Sequence, residues 1–133
     1  MIHKASEFEW SGIPLDRYKD EPGTWQSVTR QVLSPDLEGS FEVRYFEIAP
    51  GGYSTYERHE HEHCVIALRG SGEVVLGSSV HEVNERDVIR VESMMPHQFR
   101  NPGSEPFGFL CIVDRERDRP EPLRIPEAFQ TSK

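Results

Sequence analysis

Apolar and polar residues alternate along much of this chain with a period of two, in short runs that end at clusters of glycine, proline, serine and asparagine. That is the pattern of short, half-buried strands. It predicts strands over 27–34, 41–49, 64–70, 87–92, 97–101 and 107–114, a hairpin over 72–83, and a further strand beginning in YSTYERH at 53–59. In 41–49, Phe41, Val43 and Tyr45 face one way and Phe46 and Ile48 the other, so this strand is expected to be covered on both sides. No segment inside this region carries a convincing helical period. An all-β antiparallel sandwich or barrel follows.

The pattern fails at both ends. Residues 1–26 mix charges, aromatics and chain breakers (Trp10, Gly12, Pro14, Pro22, Gly23, Trp25) and read as an irregular arm whose aromatics lie over the barrel or over a neighbouring subunit. Residues 27–115 form the barrel. Residues 116–133 are charged and proline-rich, with one apolar patch at 125–129, and read as a polar tail. A chain of 133 residues has length for one core and not two.

Charge and cysteine content narrow the partners. The net charge of −8 and pI near 5.2 oppose binding to nucleic acid, which needs clustered Lys and Arg to displace phosphate counterions. No apolar window is long enough to span a membrane, and the first residues lack a secretory pattern, so a cytoplasmic location is expected. Cys64 and Cys111 sit in apolar runs and read as free buried thiols.

Candidate chemistry concentrates in GGYSTYERHEHEHCVIALRG, 51–70, where Glu57, His59, His61 and His63 recur at every second position. Residues i and i+2 of a strand lie about 6.6 Å apart on one face, but i and i+4 lie about 13 Å apart. That is too far for imidazoles that must each reach to about 2.1 Å of one ion. The chain must therefore reverse between His59 and His63, as in a hairpin, with another ligand arriving from elsewhere. His97, after Pro96 and at the head of a predicted strand, is the candidate.

The spacing Gly51, five residues, Glu57, one residue, His59, three residues, His63, six residues, Gly70 resembles the first cupin motif, Gly-x5-His-x-His-x3-Glu-x6-Gly. His97 and Asn101 are spaced as in the second, with Asp87 upstream. Arg86, Glu92 and Met94 stand where that motif usually has glycine, proline and glycine. The wording over 41–115 is most similar to small single-domain cupins that bind manganese through four histidines, with Glu57 replacing the first. The resemblance implies a double-stranded β-helix, a jelly-roll-like barrel, holding one divalent transition metal on Glu57, His59, His63 and His97. Mn(II) or Fe(II) suits three neutral ligands and one anionic one, while Zn, Ni and Cu remain open.

His61 falls in the reversal and is expected at the pocket mouth; His3 and His81 are expected to face solvent. Phe99, Phe109 and Cys111 share inward faces with these ligands and are pocket candidates. Arg44, Arg90 and Arg100 are candidate anchors for a substrate carboxylate, against a default of solvated positions. The leading functional expectation is a metal-dependent oxidoreductase of dioxygenase type acting on a small organic molecule, with Glu57 as a candidate base. The alternatives are a redox-neutral isomerase or lyase using the ion as a Lewis acid, or a non-catalytic small-molecule-binding cupin. A homodimer packed through outer sheet faces is also expected.

Overall fold

A computed structural model describes residues 1–35 and 38–126. Among them there are thirteen strands and no helix: β1 (Ala5–Ser6), β2 (Glu9–Trp10), β3 (Asp16–Arg17), β4 (Gln26–Val32), β5 (Phe41–Tyr53), β6 (Glu57–Arg58), β7 (His63–Arg69), β8 (Gly72–Leu76), β9 (Ser79–Val83), β10 (Val88–Val91), β11 (His97–Arg100), β12 (Phe107–Asp114) and β13 (Glu121–Pro122). The all-β expectation holds. No helix of the described residues is long and apolar enough to cross a membrane.

All strands except β1 and β2, which pair with each other, belong to one curled antiparallel sheet. One wall runs β10, β7, β12, β5, β4, β3, and the other runs β9, β8, β11, β6, β13. β5 belongs to both. Its first part pairs with β12 and β4, and its last residue, Tyr53, pairs with Arg100 of β11.

The sequence placed a break at Pro50–Gly52, but β5 continues through it. Gly51 takes a φ of 83° and Gly52 packs so closely that a Cβ there would lie 2.6 Å from the Gln26 carbonyl oxygen. The glycines let the strand bend from one wall to the next without ending.

Asn101 secures that bend. Its Nδ2 donates to the carbonyls of Ile48 and Glu105, and its backbone exchanges hydrogen bonds with Gly51 and Gly52. The second-motif loop keeps a left-handed shape without glycine, since Arg86 and Met94 have φ of 77° and 63°. Such strain persists only where surrounding contacts hold it. The Arg86 N–H donates to the Ala67 carbonyl and the Met94 N–H to the His59 carbonyl.

Tyr45, Phe46 and Ile48 are all fully buried, so β5 is covered on both faces. The outer cover is the chain's own arm: Phe8 stacks on Tyr45 at 5.8 Å and Trp10 lies against it at 5.2 Å. On the inner face Tyr18 and Trp25 pack on Phe46 at 5.1 and 4.9 Å. Of the two placements the sequence offers for the arm's aromatics, the one over the chain's own barrel is present here, with Phe8 and Trp10 half-buried.

The segment after the barrel docks as well. β13 pairs with β6, Arg58 makes a two-pronged ion pair with Glu121, and the Leu123 N–H donates to the Tyr56 carbonyl. The apolar patch at 125–129 lies largely outside the described residues, which end at Pro126.

Candidate metal centre

The site is built where the two walls face each other. Glu57 on β6 is directly opposite His97 on β11 in the strand register, which places their side chains as cross-strand neighbours. His59 follows on the same stretch. The expected hairpin is absent: β7 pairs with β10 and β12, not with β6. The chain instead crosses from one wall to the other at 60–62, so His63 approaches from the opposite side. The distance argument against a single straight strand holds; the connection is a crossover.

His59, His63 and His97 offer ring nitrogens that all lie within 4.8 Å of one another, a grouping that could hold a metal ion. The Nε2 atoms of His63 and His97 are 3.4 Å apart. The other ring nitrogens are tied down. His59 Nδ1 lies 2.7 Å from the His61 carbonyl oxygen and His97 Nδ1 2.9 Å from that of Met95. A carbonyl only accepts, so both histidines carry the proton on Nδ1 and leave Nε2 bare. His63 Nδ1 lies 3.1 Å from Cys111 Sγ; were Nε2 to bind an ion, the proton would sit on Nδ1 and the sulfur would accept it. Outer partners of this kind fix ring orientation in metal-binding histidines.

Burial lowers the pKa of His59, His63 and His97, the last to about 4. All three are therefore neutral and ready to bind near pH 7, with no proton to displace. Glu57 is buried beside them, its Oε2 3.9 Å from His59 Nε2. Its carboxyl is pushed up to about 7, chiefly by desolvation, against the pull of Lys19, the Trp25 indole N–H and Arg44. The Trp25 indole N–H is buried in the same pocket and turned to the Glu57 carboxyl, too far for a well-formed hydrogen bond but close enough to favour its charged form. Converging imidazole nitrogens beside a desolvated carboxyl form a set whose chemistry fits a divalent cation.

His61 takes no place in the three-histidine group. Its ring stacks on His59 at 3.7 Å and its Nδ1 meets Asp118 at 2.8 Å, so its side chain is largely shielded from solvent while still lining the pocket. Asp118 was invisible as a site residue in the sequence. It accepts from the backbone N–H groups of Glu60 and His61 as well, which holds its carboxyl below the usual range. It pins the crossover and thereby the carbonyl that orients His59.

The cavity encloses about 150 Å³, a volume for a small molecule and not a polymer. His61, Phe99, Phe109 and Cys111 line it, together with Lys19 and Arg44. Of the three arginines singled out in the sequence, Arg44 faces this pocket, Arg100 pairs with Glu73 at 3.2 Å, and Arg90 is exposed on β10. His81 is exposed on β9, while His3 is half-buried with its Nδ1 2.7 Å from the Ser11 carbonyl oxygen.

A curled double-walled sheet whose walls bring together three histidines that could hold a metal ion defines a class of small β-barrel domains. The chain belongs to the cupin family, whose domain model matches residues 44–113. A curated relative from Rhodospirillum rubrum, 1-methylthio-D-xylulose 5-phosphate methylsulfurylase, is 44% identical over 117 residues, which is 87% of this chain and 75% of that protein. The crystal structure of a cupin-2 domain from Rhodospirillum rubrum superposes with a TM-score of 0.82 at 42% identity, covering 96% of this chain and 85% of the other. A polyketide cyclase from Streptomyces resistomycificus gives 0.79 at 25% identity, covering 93% and 89%.

Proposed function

We propose that this protein is a metal-dependent enzyme acting on a small phosphorylated ketose, with chemistry of the kind named for its methylsulfurylase relative. The observation that carries the reading is the convergence of three neutral, oriented imidazoles beside a buried carboxylate. His59, His63 and His97 would hold the ion; Glu57 falls outside that three-histidine group but, with Oε2 3.9 Å from His59 Nε2, would need only a small shift to join it. The bound cation supplies Lewis-acid polarisation of the substrate carbonyl, which acidifies the adjacent carbon.

The chain's own residues do the rest. Glu57, whose carboxyl pKa burial raises in the metal-free site, would take and return the proton where the ion does not hold it. Cys111 holds a thiol whose pKa burial pushes up, so that its sulfur stays protonated against the pocket. Phe99 and Phe109 keep the inner wall dry, which strengthens every charge interaction within it.

The sequence alone favoured a dioxygenase. That reading uses the same ligands and differs in its co-substrate, whereas the name of the 44% identical relative favours carbonyl chemistry without oxygen. The two separate in one experiment. The full chain, loaded with Mn(II), Fe(II) or Zn(II), is incubated with 1-methylthio-D-xylulose 5-phosphate and a thiol reductant in air and under strict anaerobiosis. Metal-dependent conversion of the substrate's methylthio signal in proton NMR to that of the mixed methyl disulfide formed with the thiol, equal in both atmospheres, is expected. Turnover that requires oxygen would return the site to the dioxygenase class. A Glu57→Gln protein that keeps its metal and loses turnover would assign Glu57 to proton transfer; one that loses the metal would make it a ligand.

A further inference from the structure

Arg44 is the least explained group in the pocket. It is 93% buried, yet its Nε makes no hydrogen bond and its Nη2 reaches only the Cys111 sulfur at 3.4 Å. The nearest carboxylate, Glu42, is 3.7 Å from Nε, and that carboxylate is already engaged by Arg117 at 3.1 Å. Arg117 in turn is anchored by the carbonyls of Asp114 and Arg115. It neutralises Glu42 and leaves Arg44 to the cavity. The guanidinium lies over the Phe46 ring at 4.9 Å, which holds its plane while providing no acceptor.

A buried guanidinium without a well-bonded anion is expensive unless a ligand completes it. Its planar fork fits an oxyanion through two parallel N–H contacts. A second cation stands at the rim. Lys19 lines the same cavity, held there by a left-handed backbone with φ of 60° and by its ammonium lying 5.2 Å from the Tyr18 ring centroid. A deep fork and a separate ammonium suit a group with three oxygens and a double charge better than a planar carboxylate, whose two oxygens one fork saturates.

We propose that Arg44, with Lys19 at the rim, forms the subsite for the phosphoryl group of a phosphate-monoester substrate. The proposal rests on reading this cavity as a substrate site, and it sets the substrate's orientation. The phosphoryl end lies on the β5 side of the pocket, next to Cys111, and the reacting carbon lies toward the histidines. Arg44 then does for the anion what the three histidines do for the ion, from an adjacent part of the same inner face.

The test uses inorganic phosphate and the full chain, both chelator-treated and Zn(II)-loaded, at low ionic strength, with the phosphorus-31 line width as the readout. Saturable broadening is expected in both forms. Arg44→Gln should weaken it at least about tenfold with metal content unchanged, and Lys19→Ala about threefold, the latter effect shrinking as salt is added. His97→Ala should lose the metal and keep the phosphate. A reaction class that proved wrong would leave these results standing, so the two ideas fail separately. Phosphate binding that requires the metal and survives Arg44→Gln would put the phosphate on the ion and overturn the proposal. Absence of saturation, or tighter binding of malonate than of phosphate, would overturn it too. If Arg44→Gln does not fold, Arg44→Lys, which keeps the charge and loses the fork, should still weaken binding, and unchanged affinity there would count against the subsite.

Discussion

Four strands of this barrel change character within two residues. β5 presents Arg44 and then Phe46 and Ile48; β7 presents His63 and then Val65 and Ala67; β11 presents His97 and then Phe99; β12, running the other way, presents Phe107 and Phe109 and then Cys111. One half of the interior is hydrocarbon that closes on itself, with Phe99 and Phe109 stacked at 4.7 Å and Phe107 and Phe109 at 5.3 Å. The other half gathers nitrogen, carboxylate and guanidinium groups whose partners are incomplete. The apolar half holds the walls together, while the polar half weakens the empty protein and strengthens the loaded one. Period-two alternation makes this division cheap in sequence, because it lets one strand serve both halves on a single face.

Metal removal should expose the contrast most sharply. A ligand at a hundredfold excess over its dissociation constant adds about 2.7 kcal/mol to a folded state that alone binds it. A chelator should accordingly lower the melting temperature of the purified protein by several degrees, and His97→Ala should not respond to it. An equal response in both proteins would show that the polar half contributes no such linkage.

Damage to the apolar half should look different. Phe99→Ala removes a fully buried ring and is expected to destabilise the fold by about 3–5 kcal/mol. The folded fraction at low temperature should still take up the ion, as followed by urea unfolding beside metal titration. Loss of metal without loss of stability would mean that the halves are not separable at Phe99.

A milder effect is expected where the two are joined by the tail. Asp118→Ala frees the crossover at 60–61 and the His61 carbonyl that orients His59. Loss of such an outer partner lowers metal affinity by about tenfold or more. Competition with a chromophoric chelator measures it, and an unchanged affinity would make Asp118 a surface contact only.

The smallest effect is on the pH dependence of the metal-free protein. Burial lowers the pKa of three histidines, so the unfolded chain binds protons that the folded one refuses. Their contribution is present above the ordinary histidine value of about 6.5 and is lost as pH falls below it. Glu57, raised to about 7, acts oppositely: its contribution is present below the ordinary glutamate value and is lost as pH rises through about 7. With three histidines against one carboxylate, the urea midpoint should rise between about pH 5 and pH 6.5. A falling midpoint would place the charge balance of the site elsewhere.

Much of this division was legible in the sequence because both halves obey strand periodicity. The eight longer strands, the shared faces of His97 with Phe99 and of Phe109 with Cys111, and the need for a change of direction after His59 all follow from alternation and reach. What escaped depends on contacts distant in sequence. Nothing near Pro50 reveals that β5 runs on into the other wall, since only the Gln26 backbone and Asn101 show why glycine is needed there. Arg44 is one of three candidate substrate anchors in the sequence, and nothing local separates it from the solvated default of Arg90, although its neighbours Phe46 and Ile48 place it on their own face. Asp118 lies in a stretch of alternating charges, where no local pattern separates a clamp from a solvated side chain.

The account stands or falls on whether the three imidazoles hold an ion. The full chain should be reconstituted with excess divalent metal, freed of unbound ion and analysed for elements, beside His59→Ala, His63→Ala and His97→Ala proteins shown to be folded. About one ion per chain in the unaltered protein and none in the three variants is expected. No stoichiometric metal in the unaltered protein, or equal metal in all four, would contradict it.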